Sequence, residues 1–188
     1  MEELANYIRK RVAISDDDLK EILSYFHLLK VKKKEILLRE DGLSNKMYFV
    51  VKGCLRIYFI KENGSEVTRR IIFEKDSSSS LTSFITGEPS AEYIEAVTAS
   101  EVLYLSREDF YYLVDKLPVW ERFYRKNLEI AYVINTKRLM SFLTQDATER
   151  YRLLLEENPE IIRRLPNKLV ANYLNITQEA LSRLKGKL

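Results

Sequence analysis

The sequence predicts an α+β protein: a β-domain, then a long helix, then a small helical C-terminal piece. Three observations carry this. Between Val31 and Leu105, short apolar or alternating runs such as Cys54-Leu-Arg-Ile-Tyr-Phe-Ile are separated by turn residues, the pattern of antiparallel strands in a barrel-like or sandwich-like domain. From Val119 to about Leu143 a helical pattern runs without Gly or Pro. From Leu165 to Leu188 two short amphipathic runs flank Asn175, as in a helix-turn-helix.

Composition narrows the class. With 188 residues, one large domain or two small ones are expected, and 46% hydrophobic content is enough for a core. No apolar run reaches the ~18 residues of a membrane span. The start, Met1-Glu-Glu-Leu-Ala-Asn-Tyr, is acidic and amphipathic rather than a secretory signal. The single cysteine, Cys54, permits no internal disulfide and no all-cysteine iron–sulfur cluster. A cytoplasmic protein without a membrane partner is therefore expected. One His and one Cys, far apart, give little basis for a nucleophilic dyad, and neither a metal-ligand cluster nor a P-loop is present. The expectation is no enzyme and no cofactor.

In chain order, residues 3–30 read as helical. Ser15 is the expected N-cap, followed by Asp16, Asp17 and Asp18 at the positive end of the helix dipole. His27, at the end of that stretch, is open to haem ligation or pH sensing, with a structural role favoured. Strands are expected at Glu35–Arg39, Lys46–Lys52, Cys54–Ile60 and Glu66–Phe73, with Asn63-Gly64 as a two-residue hairpin turn. Tyr93–Thr98 and Glu101–Leu105 form a further expected pair around Ala99-Ser100. Between them, Ser77–Ser80 resemble a flexible linker by composition and a loop by position. The loop reads as a mobile surface segment or as a ligand-binding one, disordered without ligand. Leu81–Ile85 suits a short helix. Ser106 starts a helix running to about Lys116, and Asp146–Glu157 forms another, broken at Asn158-Pro159. Within the long helix, Trp120, Phe123, Asn127, Ile130, Ile134, Lys137 and Met140/Ser141 approximate a heptad seam, which favours a homodimer over packing on the β-domain.

The terminal motif carries the functional chemistry. Pro166 suits the first turn of the first helix, Asn175 tolerates the positive φ of a tight turn, and Thr177 caps the second helix. Ala180, Leu181, Leu184 and Leu188 share one face; Gln178, Glu179, Ser182 and Arg183 share the other. Arg183 can bond guanine O6 and N7, Gln178 adenine, and Glu179 cytosine N4. These four are the candidate base-reading residues, and Lys168, Thr177, Lys185 and Lys187 the candidate phosphate contacts. Arg163, Arg164, Lys168, Arg183, Lys185 and Lys187 against Glu179 give this segment net +5, whereas the whole chain carries +3.

The order of elements resembles the Crp/Fnr (cyclic-AMP-receptor-like) family of bacterial transcription regulators. The pieces that carry it are Met47-Tyr-Phe-Val-Val-Lys-Gly-Cys-Leu-Arg-Ile-Tyr-Phe, Asn63-Gly-Ser-Glu-Val-Thr-Arg-Arg, Glu95-Ala-Val-Thr-Ala-Ser-Glu-Val-Leu-Tyr-Leu-Ser and Ile176-Thr-Gln-Glu-Ala-Leu-Ser-Arg-Leu. The resemblance implies a cyclic-nucleotide-binding-like β-roll over 1–116, a dimerisation helix over 117–143 and a DNA-binding helix-turn-helix domain over 144–188. It implies a homodimer reading a pseudo-palindrome in double-stranded DNA through the helix 177–185, with RNA polymerase as a further partner. Two departures stand out. Nucleotide-binding members present Gly-Glu-(Leu/Ile) and then an Arg with Ser or Thr to the cyclic phosphate. Here Gly87-Glu88 is followed by Pro89, and Ser90 with Ala91 stands where Arg is expected. An unidentified small-molecule effector, not cyclic AMP in the family manner, is the expectation for the pocket of Gly87, Glu88, Ser90 and Ala91. No wing hairpin is expected after the second helix. The alternative function is a small-molecule sensor whose terminal helices bind a protein partner.

Overall fold

A computed structural model describes residues 1–186. The chain divides into two compact units. Residues 1–57 and 72–129 form the first, and residues 58–71 and 130–188 the second.

The first unit opens with α1 (Glu2–Arg9) and α2 (Asp16–Ser24). The Ser15 hydroxyl accepts the Asp18 N–H at 3.1 Å, as the sequence predicts. The helical reading of 3–30 fails beyond Tyr25. His27–Val31 is strand β1, paired antiparallel with Ser100–Tyr104, so the His27 ring lies tilted beside Tyr104 at 5.4 Å instead of ending a helix. No Gly or Pro marks this boundary. Pairing with a distant strand decides it, and tertiary context overrides local propensity.

Strands β2 (Ile36–Leu38), β3 (Lys46–Lys52), β4 (Leu55–Ile60), β5 (Glu66–Ile72), β6 (Ser77–Ser78), β7 (Tyr93–Ala96) and β8 (Ser100–Ser106) complete two four-stranded sheets, ordered β1-β8-β3-β6 and β2-β7-β4-β5. The expected pairing of Tyr93–Thr98 with Glu101–Leu105 does not occur, because β7 and β8 belong to different sheets. The chain changes sheet at Val97–Ala99, beside Gly53. The buried Ser100 hydroxyl accepts the Cys54 N–H at 3.1 Å and donates to the Thr98 carbonyl at 2.9 Å. Gly53 has φ +103°, and a Cβ there would lie 2.2 Å from Ser100 Oγ, so only glycine fits. The β4–β5 turn is also not the two-residue type. Lys61 N–H bonds Ser65 O and Gly64 N–H bonds Lys61 O, leaving Glu62-Asn63-Gly64 as a three-residue loop with Gly64 at φ +77°.

Two apolar clusters hold this unit. Val31, Val50, Leu55, Ile57, Ile72, Ile94 and Val102 fill the space between strands. Ile8, Ile22, Phe49, Phe84, Phe110 and Trp120 gather α1, α2, the short α3 (Leu81–Thr86), α4 (Arg107–Lys116) and the start of α5 (Pro118–Thr144) around the first sheet. Ser106 caps α4 by accepting the Asp109 N–H at 3.0 Å. The serine run is structural: Ser77 and Ser78 form β6, and Ser79 and Ser80 are buried. Ser77 bonds the Tyr7 hydroxyl, and Ser80 bonds Ser90 and Glu92, within the fold.

In the second unit follow α6 (Ala147–Glu157), α7 (Pro159–Arg164), α8 (Asn167–Leu174) and α9 (Gln178–Lys185). Asp146 and Glu149 close a capping box on α6. Pro166 stands at the N-cap of α8, one position ahead of the expected first turn. Tyr151, Leu154, Ile161, Leu165, Val170, Ala171, Leu174, Leu181 and Leu184 are buried. Among the described residues no helix is long and apolar enough to cross a membrane.

Candidate nucleic-acid interface and effector pocket

The turn between α8 and α9 is built by Asn175. Its φ of 54° and ψ of 46° are left-handed. The Ile176 N–H reaches back to Ala171 O at 3.0 Å and the Asn175 N–H to Asn172 O at 3.3 Å, the two bonds of a Schellman motif. Thr177 then caps α9, its hydroxyl accepting the Ala180 N–H at 3.1 Å. Leu181 and Leu184 are buried, with Ala180 half-buried beside them. Gln178, Glu179, Ser182 and Arg183 are all exposed, on the first two turns of the helix. The carboxyl of Glu179 is held below the usual carboxylate range by its own backbone N–H, then by the Thr177 hydroxyl, with Arg183 adding attraction. It is an acceptor at neutral pH. Thr177 is exposed, as are Arg163, Arg164, Lys168 and Lys185. Arg164 pairs with Glu160 at 2.6 Å, and Lys185 donates to Asn167 Oδ1 at 2.6 Å. Lys187 and Leu188 lie outside the described residues.

The carboxyl end of α8 carries residues that motif spacing did not single out. Arg138, on α5, donates from Nη2 to Tyr173 O at 2.7 Å and to Thr68 O at 3.0 Å, and its guanidinium lies 3.8 Å over the Tyr173 ring. Burial pulls its pKa below the ordinary value, and Arg69 and Arg150 nearby act in the same direction. Arg150 donates to Gln145 O at 2.7 Å and reaches Leu174 O at 3.4 Å. Lys61, from the β4–β5 loop, donates to Asn175 Oδ1 at 3.1 Å, and Asn172 Nδ2 lies 3.5 Å from Glu66 Oε2. Apart from Arg150 to Gln145, sequence spacing cannot reveal these contacts, because the partners lie 24 to 114 residues apart.

The residues expected at the effector pocket separate. Gly87 is the exposed, left-handed residue that ends α3, and Glu88 and Ala91 are exposed too. Ser90 is buried. Its backbone N–H and C=O are both spent on the 41–42 turn, bonding Gly42 O and the Asp41 N–H. Its hydroxyl lies 2.8 Å from the Ser80 hydroxyl, which donates to the buried Glu92 carboxylate at 2.7 Å. The Glu92 N–H returns to Ser90 Oγ at 3.0 Å. A little further along β7, Glu95 accepts from the buried Arg56, whose Nε lies at 2.8 Å. The donors here serve the protein's own carboxylates.

The heptad seam on α5 splits in two. Trp120 and Phe123 are buried in the first unit's core, and Asn127 accepts from the Tyr7 hydroxyl at 3.0 Å while donating to Phe123 O at 2.7 Å. That half packs on its own β-domain. Past Glu129 the same helix exposes Ile130, Tyr132, Val133, Ile134, Leu139, Met140 and Leu143.

Residues 28–116 match the family model of the cyclic nucleotide-binding domain. The cAMP-activated global transcriptional regulator CRP of Salmonella typhimurium is 27% identical over 104 residues, 55% of this chain and 50% of that protein; the Klebsiella aerogenes protein gives the same values. A Crp/Fnr-family transcriptional regulator from Eubacterium rectale superposes with a TM-score of 0.72 at 16% identity, over 91% of this chain and 82% of the other. The fold is of Crp/Fnr type. The c-di-GMP responsive global regulator CLP of Xanthomonas campestris also superposes, with a TM-score of 0.74 at 15% identity, covering 92% and 91% of the two chains. At these identities the solved structures establish the fold alone. The chain spans about half the length of the curated relatives it matches.

Proposed function

We propose that this chain is a homodimeric, DNA-binding transcription regulator that reads a pseudo-palindromic operator through α9, and that it has no catalytic role. The observation that carries the reading is the sorting of α9: two leucines buried beneath, and an amide, a carboxylate, a hydroxyl and a guanidinium exposed on its first two turns. That end of a recognition helix is the part that meets base edges in the major groove. Lys168, Thr177 and Lys185 are the phosphate contacts among the described residues, and Lys187 joins them by sequence. The exposed apolar stretch Ile130–Leu143 supplies the dimer contact, and a twofold pair would place half-sites about one helical turn (~34 Å) apart.

Cyclic AMP in the family manner does not gate this protein. A buried phosphate needs a fixed cation and free N–H donors. Ser90 offers neither: its N–H is engaged, and its hydroxyl sits among Ser80 and Glu92. An added anion would face the Glu92 carboxylate. A small-molecule effector of other chemistry, and RNA polymerase as a partner, complete the proposal.

Selection of duplexes from a random DNA library, followed by anisotropy titration, tests it. Enrichment of a palindrome whose binding weakens steeply with salt is expected. Arg183→Ala should lose about 1–3 kcal/mol of discrimination at one position per half-site. Absence of enrichment, or a flat salt dependence, overturns the reading in favour of a protein partner for the terminal helices.

A further inference from the structure

We infer that Arg138 is a positioning residue for the base-reading helix: it fixes where α9 begins by tying the carboxyl end of α8 to the β4–β5 hairpin. The inference rests on the DNA reading proposed above. The last carbonyls of a helix have no intrahelical partner and carry the negative end of its dipole. In α8 two of them, Tyr173 O and Leu174 O, are met by guanidinium groups from Arg138 and Arg150. Arg138 does more than neutralise them. One nitrogen serves Tyr173 O and Thr68 O together, so a helix end and a β5 carbonyl share a donor. Its plane also lies on the Tyr173 ring at 3.8 Å. Lys61 on Asn175 and Glu66 beside Asn172 add contacts from the same hairpin to the same helix end.

The consequence for recognition is geometric. Asn175 sets the angle between α8 and α9, and Thr177, only two residues on, fixes the first turn of α9. The exposed quartet of α9 is aimed from this turn. A lysine at 138 keeps the charge but not the planar fork that stacks on a ring while meeting two carbonyls. The hairpin therefore holds the recognition helix in register, and a shift of the hairpin re-aims it. A direct phosphate contact by Arg138 is the rival role, and it predicts a different signature in salt.

The test compares wild type and Arg138→Lys, both full chain, on a duplex selected by the wild type and on a scrambled duplex, over a series of salt concentrations. Positioning predicts about a tenfold loss on the selected duplex, near the low end of what one base contact discriminates. Binding to the scrambled duplex and both salt slopes should stay unchanged. Amide exchange at Ile176, whose N–H closes the turn, should quicken by about tenfold. Equal losses on both duplexes with a shallower slope would show a phosphate contact and overturn the inference, as would unchanged selectivity. If Arg138→Lys melts below the assay temperature, Lys61→Gln at the exposed loop carries the same test: it should lower selectivity in the same sense, and unchanged selectivity overturns the inference. A wild type that enriches no sequence removes the DNA reading by itself, before any variant is compared. Ile176 exchange then decides the positioning role alone: quickening supports it and no change overturns it.

Discussion

Ser80 donates its hydroxyl proton to the Glu92 carboxylate across 2.7 Å, with both residues buried inside a cyclic nucleotide-binding domain. The donors around this buried carboxylate are engaged within the protein itself. Ser80→Ala removes one of those donors from a buried charge and should destabilise the chain by about 1–3 kcal/mol, read as a lower urea midpoint at unchanged slope. Cyclic AMP at millimolar concentration should leave the melting temperature unmoved. A ligand at a hundred times its dissociation constant would add about 2.7 kcal/mol, which a thermal scan resolves easily.

Beyond Glu129, α5 carries apolar side chains that the described residues leave largely exposed. Leu143 is 70% exposed and Tyr132 73%, so neither contributes to the isolated chain's core. Leu143→Glu should therefore spare the fold while breaking self-association. For an interface anchor the loss is on the order of 2 kcal/mol. Sedimentation equilibrium should show a dimer for wild type and a monomer-rich mixture for the variant at micromolar concentration. A wild type that sediments as a monomer would count against the homodimer.

What the sequence revealed follows from how local each signal is. Ser15, Ser106 and Thr177 cap their helices because a cap needs only a residue and its own third neighbour. Asn175 was readable because few residue types tolerate its φ. The start of β1, the separation of β7 from β8 and the burial of Ser79 and Ser80 were not readable, because each depends on strands far along the chain. The heptad seam misled for a related reason. Periodicity shows that a face is apolar but not what covers it, and Trp120 and Phe123 are covered by the first unit itself. At the candidate sites, the exposed face of α9 was readable from helical spacing. Ser80, Glu92 and Arg138 act through contacts that cross the chain and had no local signature.

Gly53 and Gly64 both have positive φ, yet their surroundings differ. A Cβ at Gly53 meets Ser100 Oγ at 2.2 Å and Ala99 O at 2.9 Å, whereas a Cβ at Gly64 meets nothing within 4 Å. Gly64→Ala should cost about 1 kcal/mol, the backbone strain alone. Gly53→Ala should cost about 2 kcal/mol or more, since a clash with buried atoms at the change of sheet adds to that strain. Equal losses in parallel urea titrations would mean that the close approach to Ser100 carries no weight.

Asp146 sets the acid limit of α6. Its carboxylate accepts the Thr148 and Glu149 N–H groups at 2.7 and 2.9 Å, and these bonds, with Arg150 nearby, hold its pKa below the ordinary 3.8. A carboxyl whose folded pKa is depressed stabilises the fold fully above its unfolded value and loses that contribution as pH falls through the folded one. The cap is therefore intact at neutral pH and should fail only below about pH 4. Asp146→Asn keeps an oxygen to accept the same N–H groups, so stability at pH 7 should change little. What should change is the slope: the variant's urea midpoint should fall less between pH 5 and pH 2, at roughly these limits, than the wild type's. Identical slopes would show that the carboxylate form of Asp146 is not what α6 depends on.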